Sequence, residues 1–283
     1  MPALPLCTSS PHPLDGSGRV IEGSNLWRCR RCHYILREAD YGAPSETLYF
    51  DNVIYVMPEN EEKHLRAKQR MFEHLVARTS RYFDFRQRPR TMVDFGCSYG
   101  HLGKAFQAAG WNVIGVDVSW SIATYFREHQ PFPAYEDLDS EDIPTGKVDA
   151  ISMIDSLYYV NDPVDLLRLA RWKLASPGVV LLRLANRNKF IRMAAALEKV
   201  LPVKLLDRVL IDHAGYWTVK ALKIAARRAG FDRVRIFRRE RGYRHPWPRK
   251  ALHWATQMVS CLTGGIIDFA TVFHAELWKD KLR

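Results

Sequence analysis

At 283 residues the chain is long enough to bury a sizeable core, and 47% hydrophobic with 12% aromatic residues excludes general disorder. Lysine and arginine outnumber aspartate and glutamate 42 to 31, a formal charge of +11. That excess favours nucleic acid, phosphorylated metabolites or an anionic membrane surface as partners, unless the basic block from Arg227 to Arg244 is only a solubilising face.

Five scattered cysteines (Cys7, Cys29, Cys32, Cys97, Cys261) do not make a disulfide framework. With no charged start followed by an apolar stretch, a reducing cytoplasm is the expected compartment. Residues 1–25, rich in Pro, Ser and Gly, form a loop-like start, and LWRCRRCHYIL (26–36) forms a compact knuckle. Leucine, methionine and phenylalanine at helical spacing predict a helix over 61–82.

From there apolar runs and helical stretches alternate. TMVDFG (91–96) reads as a strand, 101–110 as a helix closed by Gly110, and 111–119 as a second strand. A helix over 121–129 and a short strand over 133–138 follow. The segment 147–155 is a strand, 162–175 a helix, 178–186 a strand, 217–231 a helix and 232–240 a strand. Residues 251–273 are apolar but carry His253, Asp268 and a Gly264-Gly265 break, which predicts an amphipathic helix before a last strand over 269–278, not a membrane span. Alternation of this kind predicts an α/β fold: a doubly wound, Rossmann-like, mostly parallel seven-stranded sheet. The expected division is an N-terminal extension over 1–60 and the α/β domain over 61–283.

The stretch VDFGCSYGHLG (93–103) leaves a strand and opens a helix, the setting of a nucleotide-type loop. Gly96 and Gly100 let backbone approach a ligand, and Ser98 stands where a third glycine often sits. Asp117, followed by Val118, closes the second strand about twenty residues on, placed to accept bonds from ribose hydroxyls. Asp94 separates two cofactor classes. A carboxylate beside the helix start would repel a pyrophosphate but suits a ligand bearing an ammonium group, such as S-adenosylmethionine. No lysine directly follows the loop, so it is not a P-loop.

On these residues the chain resembles the class I S-adenosylmethionine-dependent methyltransferases, and within them the group that includes quinone-biosynthesis O-methyltransferases. MVDFGCSYG matches the first motif except at Ser98, VIGVDVS the second, EDLDSEDIP the third, and VDAISMIDSLYYVNDP the fourth, with Tyr158-Tyr159 in place of Glu-His. The resemblance implies that Gly96, Cys97, Ser98 and Gly100 lie against the methionine part and that Asp117 holds the ribose. It places Asp139, with Asp137 as rival, near the adenine, and Asp155 beside the cofactor.

The sulfonium is already activated, so the protein must mainly position the acceptor and receive its proton. Tyr158 and Tyr159 are poor bases near neutrality and shape an acceptor pocket instead. His213, with Tyr216 and Trp217, precedes a helix in the connection after the fifth strand; it serves as a base or as a capping and packing histidine. Cys7, Cys29 and Cys32 approach zinc-ribbon spacing but need His12 or His33 as a fourth ligand, the alternative being three free thiols in a small knob.

The arginine- and tryptophan-bearing segment near 239–262 reads as an interfacial helix touching acidic lipid or as an ordinary amphipathic helix. The fourth strand lacks the Pro-Pro-aromatic stretch of nucleic-acid amino-methylating enzymes, which places nucleic acid behind small molecules. The reading is therefore a methyltransferase acting on a small-molecule acceptor, at oxygen of a sugar, a lipid-linked compound or a secondary metabolite. RNA or protein methylation and a non-catalytic cofactor-binding role are the alternatives.

Overall fold

The structure, a computed structural model, describes residues 18–20, 26–37, 58–119, 129–202, 204–210, 213–238, 242, 251, 254–255, 258–259, 262–263 and 271–280. In chain order its elements are β1 (Gly18–Val20), β2 (Leu26–Cys29), β3 (Ile35–Arg37), α1 (Pro58–Ser80), β4 (Arg90–Phe95), α2 (His101–Ala108), β5 (Trp111–Val116), β6 (Ala134–Tyr135), β7 (Val148–Ile154), α3 (Pro163–Lys173), β8 (Leu174–Ala185), α4 (Asn188–Leu197), α5 (Leu206–Val209), β9 (Gly215–Tyr216), α6 (Val219–Arg228), β10 (Arg233–Phe237) and β11 (Val272–Trp278). The expected helix over 121–129 lies, apart from residue 129, outside the described residues.

Seven strands form one sheet in the order β10-β11-β8-β7-β4-β5-β6. From β8 to β6 neighbouring strands are parallel, while β11 runs antiparallel to both β8 and β10. Successive residues of the central strands serve opposite faces, as a pleat requires. Val93, Ile151, Val180 and Leu182 belong to one core with Val164 and Leu167 of α3 and Ala221, Leu222 and Ala225 of α6. Met92, Ala150, Val179 and Leu181 belong to the other, with Met71, Phe72 and Leu75 of α1 and Leu102 and Phe106 of α2. Burial on both faces explains why VDAISMI and VVLLRLA read as continuous apolar runs and not as alternating ones.

Helix starts follow local chemistry. Asp162 caps α3, its side chain accepting from the amides of Val164 and Asp165 at 3.0 Å each, with Pro163 at the first helical position. Thr218 caps α6 through Ala221 N at 3.0 Å. Buried alanines at 221, 225 and 226 let α6 pack closely on the sheet.

A second, four-stranded antiparallel sheet has the order β1-β2-β3-β9. Ile35 pairs with Tyr216 and Leu36 with Gly215, so the N-terminal hairpin is hydrogen-bonded to the connection before α6. Thr218 Oγ1 donates to Cys32 O at 2.7 Å, and Asn188 Nδ2 to His33 O at 2.6 Å. Cys29, Cys32, Tyr34 and Leu36 pack into the same core as Trp217, and the rings of Tyr34 and Trp217 meet edge to face at 5.2 Å.

Strand order places the site. The chain leaves β4 toward β5 and β6 on one side and returns to β7 and β8 on the other. A crevice therefore opens at the carboxyl ends of β4 and β7, where α/β sheets bind ligands.

Candidate active site

A cavity of about 480 Å³ occupies this crevice. Its floor is the turn after β4. Gly96, Ser98 and Gly100 all have positive φ (72°, 48° and 74°), the left-handed region that glycine enters without cost. Ser98 thus adopts a backbone conformation that glycine enters more readily. It is held there by its amide, which donates to Asp117 Oδ2 at 2.9 Å. The amides of Gly96 and Cys97 donate to Val116 O at 2.7 and 3.1 Å, locking the turn onto the end of β5. A Cβ on Gly96 would lie 2.6 Å from Ser156 Cβ, so the cradle closes against the turn after β7.

Three carboxylates converge on this turn. Asp94, in β4, is almost fully buried, and burial pushes its carboxyl up to about 7, against the opposing bond from Ser152 Oγ at 2.5 Å. Such a group is poised to ionise when a cation arrives. Asp117 accepts from the amides of Ser98 and Ser119; burial raises its pKa and those two bonds pull the other way. Asp155, just past β7, has φ 62° and takes Lys68 Nζ at 2.9 Å and the Arg183 guanidinium. Burial alone would raise its pKa, but the two cations outweigh it and hold Asp155 well below the usual carboxylate range. Strain at a non-glycine residue of this kind gathers at working sites.

Other sequence candidates are divided. Cys97, Val118, Tyr158 and Tyr159 line the cavity with Asp94, Gly96, Ser98, Asp117 and Asp155. Glu136 and Asp137 also line it, whereas Asp139 does not; its amide donates to Asp137 Oδ1 at 3.1 Å. Gly100 lies outside the lining as the residue before α2. Burial raises the Cys97 thiol well above its ordinary value, which disfavours the thiolate.

His213 stacks on Tyr158 with ring centroids 3.5 Å apart and meets Tyr159 edge-on at 5.5 Å, behind the cavity wall. Burial pushes its pKa down to about 3. Tyr216 and Trp217 are buried outside the lining, Tyr216 with Leu26 and Ile35 and Trp217 in the main core.

Cys29 and Cys32 are buried, with Cys32 N donating to Cys29 Sγ at 3.5 Å. Cys7 and His12 lie outside the described residues, and among the described residues no three His, Cys, Asp or Glu side chains are grouped to hold a metal. Much of the basic segment near 239–262 is also outside them. Among the described residues no helix is long and apolar enough to cross a membrane.

Sequence reasoning missed a whole wall. His64, Lys68 and Phe72 of α1 line the cavity at positions i, i+4 and i+8, one stripe of the helix. The stripe was visible in HLRAKQRMF, but nothing local says that this helix folds over the turn after β4.

Comparison with known proteins gives the same frame. Residues 66–236 match a family model described as a methyltransferase domain. The chain is 25% identical over 154 residues to a ubiquinone biosynthesis O-methyltransferase of Cupriavidus pinatubonensis, covering 52% of this chain and 62% of that protein. It is 28% identical over 156 residues to the enzyme of that description from Psychrobacter arcticus, covering 52% and 61%. The match thus spans less than two thirds of the length of these curated relatives. The fold is shared with the plantazolicin methyltransferase BamL, solved with a triazolic desmethylPZN analog and SAH, at a TM-score of 0.52 and 13% identity, covering 80% of this chain and 93% of that one.

Proposed function

Because the chain belongs to the methyltransferase-domain family and is built as a class I S-adenosylmethionine-dependent methyltransferase, we propose that it transfers a methyl group from S-adenosylmethionine to an oxygen of a small-molecule acceptor. The observation that carries this reading is the meeting of Asp94 and Asp117 on one positive-φ turn. A buried acid with its pKa near 7 suits an ammonium group, and a strand-end carboxylate suits a ribose diol. Gly96, whose Cβ would collide with Ser156, lets the turn after β4 close on the turn after β7, and both turns line the cavity. The choice of oxygen is supported by the ubiquinone O-methyltransferases that the chain is similar to.

When bound, the cofactor would supply an activated methyl on a sulfonium and leave as S-adenosylhomocysteine, while the chain's own residues bind and orient the acceptor and the proton of its hydroxyl passes to water at the cavity mouth. Asp117 fixes the nucleoside end through its ribose, and Asp137 and Val118 flank the adenine. Asp94 and Asp155 face the amino-acid end. Tyr158 and Tyr159 bound the acceptor side, and we assign His213 to holding their rings, since Tyr158 lies between it and the cavity.

Isothermal calorimetry tests the reading. One-to-one uptake of S-adenosylhomocysteine is expected, weakened about tenfold or more, or ~1.4 kcal/mol, in Asp117→Ala. Wild-type protein that takes up neither this compound nor S-adenosylmethionine would overturn it.

A further inference from the structure

His64 and Lys68 stand one helical turn apart on α1 and line the same cavity. Lys68 Nζ donates to Asp155 Oδ2 at 2.9 Å and its side chain is 14% exposed. An ammonium has three donors, and among the described residues Asp155 is the one acceptor that Lys68 meets. Asp155 also takes the Arg183 guanidinium, so its single charge is divided between two cations.

His64 Nδ1 is buried with no hydrogen-bond partner among the described residues. Burial, with Lys68 and His101 adding to it, pushes this ring down to about 3, so it is a neutral hydrogen-bonding group. The neighbouring acid Asp94 stays largely protonated below about 7 and is bonded to Ser152. A sheltered ammonium with an incomplete counter-charge, beside a polar atom with nothing to bond, calls for an anion with oxygen acceptors.

Resting on the methyltransferase reading, we infer that the acceptor carries an anionic oxygen group, a carboxylate or a phosphate, received by Lys68 with His64 beside it. A charge-assisted bond there fixes the acceptor in the cavity that holds the cofactor. A neutral acceptor of the same shape leaves the ammonium as it was and gains little.

The test uses the full chain saturated with S-adenosylhomocysteine and titrated calorimetrically at fixed ionic strength with salicylate, phenyl phosphate or phenol. At least one anion should bind about tenfold or more tighter than phenol, and the better of the two names the acidic group. In Lys68→Met that preference should vanish; in Lys68→Arg it should persist. Salicylate and phenyl phosphate binding no better than phenol to wild-type protein would overturn the inference, whether or not the variants fold. So would a Lys68→Met protein that loses S-adenosylhomocysteine yet still binds 5′-methylthioadenosine, because Lys68 would then serve the cofactor's own carboxylate. Failure of wild-type protein to take up S-adenosylhomocysteine would instead sink the methyltransferase reading, and this inference with it.

Discussion

Replacing Gly96 by alanine separates two costs that the turn after β4 combines. Gly96 has φ 72°, and its added Cβ would stand 2.6 Å from Ser156 Cβ and 3.2 Å from Ser156 Oγ. Ser156 has little room to retreat, since its hydroxyl donates to Phe95 O at 3.0 Å. A left-handed alanine costs about 1–2 kcal/mol, and the forced overlap a further ~1–3 kcal/mol. Gly110 supplies the control: its φ is 85°, and nothing lies within 4 Å of its added Cβ. Gly110→Ala should therefore lose only the strain, about 1–2 kcal/mol. Urea unfolding at unchanged slope measures both losses. In a Ser156→Gly background the overlap disappears, so Gly96→Ala should fall to the Gly110→Ala value, with a coupling of about 1–3 kcal/mol. Equal losses at 96 and 110, or a coupling below ~0.5 kcal/mol, would refute the reasoning.

Three further outcomes follow from the same geometry. Asp155→Asn leaves Lys68 and Arg183 without their shared counter-charge and should cost about 3–5 kcal/mol in urea unfolding. Because the folded-state pKa of Asp155 lies below the ordinary 3.8, its contribution is present above about pH 4 and is lost as pH falls; the variant's acid limb should be flatter between about pH 4 and 2. Asp94, raised to about 7, keeps its proton in the folded state where the unfolded chain has released it, so its own contribution to stability declines from about pH 4 to pH 7. Binding of S-adenosylhomocysteine at pH 6 should then expel close to one proton, read by calorimetry in buffers of different ionisation enthalpy; an unchanged proton count in Asp94→Asn would remove its role. Gly215→Ala would place a Cβ 1.7 Å from the Tyr34 hydroxyl oxygen and should speed amide exchange at Arg37, whose N–H donates to Ala214 O across the β3–β9 edge at 2.9 Å, with partial recovery in Tyr34→Phe. Unaltered exchange at Arg37 would mean that β3 and β9 do not depend on each other.

The large sheet was legible because its signals are local. The strand expected over 147–155 is observed as Val148–Ile154 and the helix expected over 162–175 as Pro163–Lys173, each marked by its own apolar run or cap. The meeting of Asp94, Ser98 and Asp117 was legible too, since spacing along one strand–turn–helix–strand unit fixes it. The small sheet was not. Its β3–β9 ladder joins Ile35 to Tyr216, and two-residue β9 carries no periodicity of its own. α4 was missed as well: its buried face, Ile191, Ala194 and Ala195, packs against Leu26 and Ile35 of the N-terminal hairpin, a surface that sequence alone does not announce. The α1 wall of the cavity failed for the same reason.

The antiparallel strand β11 carries a consequence for how the chain is made. It sits between β8 and β10, so β10 reaches the rest of the large sheet through a strand that begins 35 residues after β10 ends (272 against 237). Until the ribosome has released residue 278, the outer backbone edge of β8 lacks its partner and β10 has no berth. A nascent chain halted at residue 237 would therefore expose an unpaired strand edge flanked by leucines and valines, a surface for chaperones or for aggregation.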